Sequence, residues 1–201
     1  DGWLTALLQE ASLGGYDIFG GVYLPSYDDG KYEWFQDRYA SNSHIDGPRR
    51  ILCDREYLSG GNICFNISTV FVSVAFPTTI GMTGDKVAYG EEIYVQKLAR
   101  KHGLAVGYSP GMKIMHYTGL SKQTLKWQLS RYYAAGRDIW HTQGIKANVS
   151  NILKMLVKMH LIPLINLTKR HTYSNLQTFT LEVLGPWLSY FSALKHSKNY
   201  D

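Results

Sequence analysis

The stretch Gly90-Glu91-Glu92-Ile93-Tyr94-Val95-Gln96-Lys97-Leu98-Ala99-Arg100-Lys101-His102-Gly103 reads as a single helix. Ile93, Val95, Leu98 and Ala99 supply its apolar positions, Glu91 opens it and His102-Gly103 ends it. Residues 104–108 and 112–117 follow as two strands, separated by Ser109-Pro110-Gly111. On the other side, Trp3, Leu4, Leu7, Leu8 and Ala11 recur at helical spacing before Gly14-Gly15, so a helix is expected over 2–13. Residues 16–24 then read as a strand closed by Pro25, with Asp28-Asp29-Gly30 as a turn. The polar, aromatic segment 31–48 is expected to be a long loop with a helical turn or two. Further on, Ser59-Gly60-Gly61-Asn62 makes a tight turn into a strand marked by Ile63, Phe65 and Ile67, and a short helix is expected over 68–74. Residues 77–90 show little periodicity, and Ser121 is expected to cap a helix through Leu125, Leu129, Tyr132 or Tyr133 and Gly136 to about residue 143. Strands alternating with helices across this span indicate an α/β domain.

The chain has 201 residues, 45% apolar and 18% charged, which suits one domain with an appendage and excludes disordered and collagen-like classes. Cys53 and Cys64 are too few for a disulfide framework, so a reducing compartment is expected. The net charge of +5 is uneven: residues 1–144 hold 14 Lys/Arg and 14 Asp/Glu, whereas residues 145–201 hold 7 and 2. A neutral domain with a basic tail argues against a nucleic-acid partner and favours an anionic surface for the tail. Within that tail, Lys154, Lys158 and Pro163 interrupt a Leu-, Ile- and Met-rich run, which excludes an uncharged spanning segment. The two lysines lie four apart, among Ile152, Met155, Leu156 and Met159, as in a helix on a membrane surface; a helix packed on the domain reads equally well. Asp1-Gly2-Trp3-Leu4 has no feature of a signal peptide, and the chain is expected to begin within a longer protein.

Glu91 and Glu92 fall in the first turn of their helix, where the macrodipole favours ionised carboxylates. Neighbours on a helix point about 100° apart, so one could act as general base while the other orients it or holds the helix start. Capping alone also accounts for glutamates there. Gly60-Gly61 permits unusual backbone and a close approach of a ligand to the main chain, with Asn62 able to bond a sugar hydroxyl or phosphate; a plain turn before a strand is the competing reading. His116 ends a strand, where side chains reach a cleft, although one imidazole cannot hold a metal unaided. Sequons at Asn66, Asn148 and Asn166 are read as incidental, and no zinc spacing, P-loop or Ser/His/Asp pattern is present.

Gly2-Trp3-Leu4, Tyr57-Leu58-Ser59-Gly60-Gly61-Asn62, Gly90-Glu91-Glu92 and His116, in that order, resemble the C-terminal half of the catalytic domain of family 2 glycosyltransferases over roughly residues 1–144. The resemblance implies the second half of a GT-A mixed sheet with flanking helices, followed by a helical tail over 145–201. It places Glu92 where the family has its catalytic Asp, deprotonating the acceptor hydroxyl, and Glu91 where the family has the preceding Glu. Glu-Glu in place of Glu-Asp keeps the carboxylate and lengthens its reach by one methylene. Gly60, Gly61 and Asn62 would line the acceptor and donor-sugar cleft, and His116 would contact a metal or the diphosphate. Gln128-Leu129-Ser130-Arg131-Tyr132 is similar to the Gln-x-x-Arg-Trp motif of processive members such as cellulose and hyaluronan synthases, which would set Arg131 on the donor pyrophosphate.

The resemblance thus implies an inverting, metal-dependent glycosyltransferase, inactive as this chain alone, that acts in surface polysaccharide synthesis. Its partners would be a nucleotide-sugar donor and a saccharide or lipid-linked acceptor. A divalent cation, Mg or Mn, would be held mainly by an Asp-x-Asp motif upstream of residue 1. The expected location is cytoplasmic, with peripheral contact of 145–201 on the inner face of the cell membrane. The alternative is a non-catalytic module of the same fold that binds carbohydrate, with Trp34, Phe35 and Tyr39 stacking on sugar rings, or that docks to lipid through the tail.

Overall fold

The computed structural model describes residues 2–78, 80–81, 90–143, 148–173 and 175–197, which form a mixed α/β structure of two compact units. Unit 1 comprises Asp1–Asp28, Gln36–Pro77 and Glu91–Thr118; unit 2 comprises Asp29–Phe35, Thr78–Gly90 and Gly119–Asp201.

In unit 1 the first helix, α1 (Gly2–Leu13), is followed by strands β1 (Ile18–Gly20), β2 (Tyr23–Ser26), β3 (Arg50–Ile51) and β4 (Ile63–Phe65). The one-turn helix α2 (Ile67–Val70), helix α3 (Glu91–Lys101) and strands β5 (Val106–Tyr108) and β6 (Ile114–Tyr117) complete the unit. Four strands form a mixed sheet in the order β3-β5-β1-β4, with β1 parallel to β5 and antiparallel to β4. Its core gathers Ile18, Val22, Leu58, Val95, Ala99, Val106 and Tyr108. The remaining strands, β2 and β6, pair in parallel, with Pro25 opposite His116.

Residues 16–24, expected as one strand, divide between the two sheets. The hinge is Gly20-Gly21: a Cβ at Gly20 would lie 2.2 Å from the Asn62 carbonyl oxygen and one at Gly21 1.9 Å from that of Met112. Only glycine lets those backbones approach so closely, and the chain leaves one sheet for the other there. Pro25 sits inside β2 rather than closing it. The two-residue β3 had no signal in the sequence, being too short to show alternation.

Unit 2 contains helices α4 (Leu125–Arg137), α5 (Ile139–Gln143), α6 (Val149–Thr168) and α7 (Leu176–Lys195). Thr124, not Ser121, caps α4, its hydroxyl accepting from Trp127 N at 3.2 Å; Ser121 belongs to a 3-10 turn before it. α4 and α7 cross closely, since a Cβ at Gly136 would lie 1.9 Å from the Ser189 carbonyl oxygen. Trp140, Met155 and Ala193 form a buried cluster in which the Trp140 indole donates to the Ala193 carbonyl at 2.8 Å. α4 therefore packs on α7 within unit 2.

The loop segment 29–35 also belongs to unit 2. The buried Gln123 amide accepts from Tyr32 N at 2.9 Å and donates to the Gly30 carbonyl at 3.0 Å, while Thr178 Oγ1 donates to the Trp34 carbonyl. Trp34 and Phe35 are 8% and 1% exposed and meet edge to face, so neither offers a ring for a sugar to stack on. That corrects the expectation for both; Tyr39, half-buried in unit 1, lies under the Arg38 guanidinium. The sequon asparagines have local duties: Asn66 and Asn148 cap α2 and α6, and Asn166 donates to the Glu182 carbonyl.

Candidate functional site

One face of α3 holds the segment that leads into the Gly-Gly turn. Glu92, Gln96 and Arg100 recur every four residues, and they meet Gly60, Leu58 and Glu56, which recur every two. A Cβ on Gly60 would lie 3.7 Å from Glu92 Cδ. The fully buried Gln96 amide accepts from Leu58 N at 2.8 Å and donates to the Leu58 carbonyl at 2.9 Å and the Glu92 carbonyl at 3.0 Å. Arg100 Nη2 donates to the Glu56 carbonyl at 2.8 Å, and its guanidinium lies over the Tyr57 ring. Four residues of helix rise about 6 Å and two of extended chain about 6.6 Å, so the two spacings run in step. Burial lowers the Arg100 pKa, an effect opposed by the Tyr57 hydroxyl and Asp54.

Gln96 is the residue that sequence reasoning missed. It occupies the same stripe as Glu92 and Ala99, a polar side chain on a buried face, and that position is the available signal for it. The helix places Glu91 and Glu92 in its first turn and Arg100 and Lys101 in its last, so both ends complement the macrodipole. Gly90, just before it, has φ +109°, a left-handed conformation that favours glycine. Glu91 Oε2 is buried and accepts no hydrogen bond among the described residues. Residues 82–89, part of the segment read for the motif, lie outside the described residues.

The far end of the turn is anchored by Asn62. Its amide donates to the carbonyls of Val22 and Met112, at 3.0 and 2.5 Å, and its Oδ1 accepts from the Trp3 indole at 2.8 Å. Asn62 is buried and ties α1, the Gly20-Gly21 crossing and the turn together. This is a structural duty that uses both amide hydrogens and one lone pair of Oδ1. Gly60 and Gly61 between the anchors are exposed, and neither has a positive φ. Their contribution is therefore the bare backbone beside Glu92, not an unusual conformation; nothing lies within 4 Å of a Cβ at Gly61.

His116 is half-buried on β6, its ring edge-on to Tyr23 at 5.4 Å. Among the described residues no three His, Cys, Asp or Glu side chains gather to hold a metal. In unit 2, Arg131 donates to Gln128 Oε1 at 3.3 Å, Gln128 donates to the Lys122 carbonyl, and Tyr132 packs where a Cβ at Gly185 would lie 2.7 Å from its ring. The Gln-x-x-Arg-Tyr stretch thus forms one hydrogen-bonded turn of α4.

A separate open cleft of about 920 Å³ in unit 1 lies among Leu7, Phe19, Phe65 and Phe71, and none of the candidate residues lines it. Its carboxylates are engaged, Glu10 with Arg49 and Asp17 with Ala105 N. No protein-family model, curated protein or solved structure matches the chain.

Proposed function

We propose that the chain is the acceptor-side part of an inverting glycosyltransferase of GT-A type, in which Glu92 is the general base. The observation that carries this reading is the position of the Glu92 carboxylate beside the bare backbone of Gly60, with two motif segments 32 positions apart clamped together by Gln96. A hydroxyl entering over Gly60-Gly61 would meet the Glu92 carboxylate, which among the described residues is what a Cβ at Gly60 would touch. Glu92 takes the hydroxyl proton as the acceptor oxygen bonds to the anomeric carbon and the bond from that carbon to the leaving diphosphate breaks, with inversion. A divalent cation, when bound, would neutralise charge on that leaving group. The partners this reading requires are a nucleotide-sugar and a saccharide or lipid-linked acceptor.

The test is release of nucleoside diphosphate from a panel of nucleotide-sugars and saccharide acceptors by the intact protein. Glu92→Gln lowers turnover by about 10²-fold or more, while donor binding, read by calorimetry, stays within twofold. Near-normal turnover in that variant refutes the assignment.

A further inference from the structure

We infer that α6 docks on an anionic lipid bilayer, lying in the plane of the membrane surface. Among the described residues no helix is long and apolar enough to cross a membrane, yet α6 exposes apolar side chains along its whole length. Its inner face is used within unit 2: Ile152 and Met155 join the cluster with Trp140 and Ala193, and Asn166 bonds the Glu182 carbonyl of α7. The outer face carries Val149, Leu153, Leu156, Val157, Leu164 and Leu167, with Val149, Val157 and Leu164 at 75%, 61% and 59% exposure. At 100° per residue these six fall within one arc, which the exposed His160 shares, and Lys154 and Lys158 follow it on one flank.

Charge selects the occupant. Residues 139–181 contain no Asp or Glu but include Lys146, Lys154, Lys158, Lys169 and Arg170. An apolar arc flanked by lysines, without a single acid, fits acyl chains beneath anionic headgroups. A second copy of this face would bring the same cations against one another, a repulsion that a bilayer does not impose. Pro163 lies within the helix and is half-buried, so it does not interrupt the outer arc. This inference is independent of the catalytic reading, since every residue it uses lies in unit 2, whereas Glu92 and the Gly60-Gly61 turn belong to unit 1.

The experiment is flotation of the full chain with vesicles of phosphatidylcholine alone or with one-third phosphatidylglycerol, at low and high salt. The expected result is binding to the anionic vesicles that weakens with salt, and hydrogen-exchange protection appearing over residues 149–168 when vesicles are added. Leu153→Glu/Val157→Glu/Leu164→Glu lowers partitioning by about 100-fold or more. Lys154→Gln/Lys158→Gln lowers it about 25-fold on anionic vesicles, from roughly 1 kcal/mol for each lysine, and leaves binding to neutral vesicles unchanged. The lysine pair keeps the test intact if the triple variant fails to fold. Absence of binding to anionic vesicles, protection elsewhere than α6, or full binding by the triple variant overturns the inference. So does self-association without lipid that the triple variant abolishes, because the face would then be covered by a second copy.

Discussion

Replacing Gln96 with Leu tests whether its amide fastens the Gly-Gly turn to α3. The substitution keeps an apolar side chain of similar size on the buried stripe and removes the three hydrogen bonds to Leu58 N, the Leu58 carbonyl and the Glu92 carbonyl. The Glu92 carbonyl is also placed for helix bonding, so the cost falls on the two backbone groups of Leu58, a residue 1% exposed. Each buried group left unsatisfied costs about 1–3 kcal/mol, and the added apolar burial returns about 1 kcal/mol. The expected net loss is therefore about 1–5 kcal/mol. Native-state hydrogen exchange at core amides of unit 1, such as Leu52 and Val106, reads that as a fall in protection of roughly 5- to 5,000-fold. Gln96→Glu adds a signature of opposite sign to ordinary acid unfolding. A protonated carboxyl at residue 96 both donates and accepts, as the amide does, so it restores the pair to Leu58; the ionised form faces two carbonyls. Its pKa in the folded state is raised above the unfolded value of about 4.3. The stabilisation is then fully present below that value and is lost as pH rises through the folded pKa. A loss under about 0.5 kcal/mol in the Leu variant, or a Glu variant whose stability does not rise on acidification relative to wild type, would refute the clamp.

Two glycines separate close approach from open backbone. Gly60→Ala places its methyl 3.7 Å from Glu92 Cδ with no positive φ to strain, so stability changes by less than about 1 kcal/mol, while nucleoside diphosphate release falls because the methyl covers the carboxylate. Gly21→Ala sets a Cβ 1.9 Å from the Met112 carbonyl oxygen and costs about 3 kcal/mol or more; a urea midpoint equal to wild type would show that the crossing is not tight. The Tyr108 hydroxyl, followed by Lys113 and Gly47 N, holds Asp46 below the usual carboxylate range. Its contribution is present above about pH 4 and is lost as pH falls through the lowered folded pKa, so Asp46→Asn flattens the acid limb of stability against pH. Burial, then Asp46, raises the Tyr108 hydroxyl well above its usual value of 10.0, so stability also declines as pH rises past 10, and Tyr108→Phe removes that decline. An unchanged profile in either variant would refute the corresponding shift.

The parts of the fold visible in the sequence are those built from local periodicity. The helices over 2–13 and from Glu91, and the strands before and after Ser109-Pro110-Gly111, form where local periodicity puts them; α3 buries Val95 and Ala99 as its spacing implies, whereas α1 leaves Leu4 and Leu8 exposed. Misreadings arose wherever a distant backbone group decided the outcome. The run 16–24 has strand composition throughout, but carbonyls from Asn62 and Met112 reach Gly20 and Gly21 and divide it. Trp34 and Phe35 read as exposed aromatics because their loop is polar; hydrogen bonds from Gln123 and Thr178, about 90 and 140 positions away, draw the loop inward. The candidate site follows the same division. Glutamates at a helix start and a pair of glycines are readable as types, whereas Gln96 and Asn62, which set the distance between them, act through long-range bonds to main-chain atoms. A buried amide at either position holds one loop in one place through two or three directional bonds, where an apolar residue would permit several placements of similar energy. Under the proposed function, Gln96 and Asn62 would supply the rigidity that a general base needs, and a polar residue on an otherwise buried helix face is where a sequence signals such support.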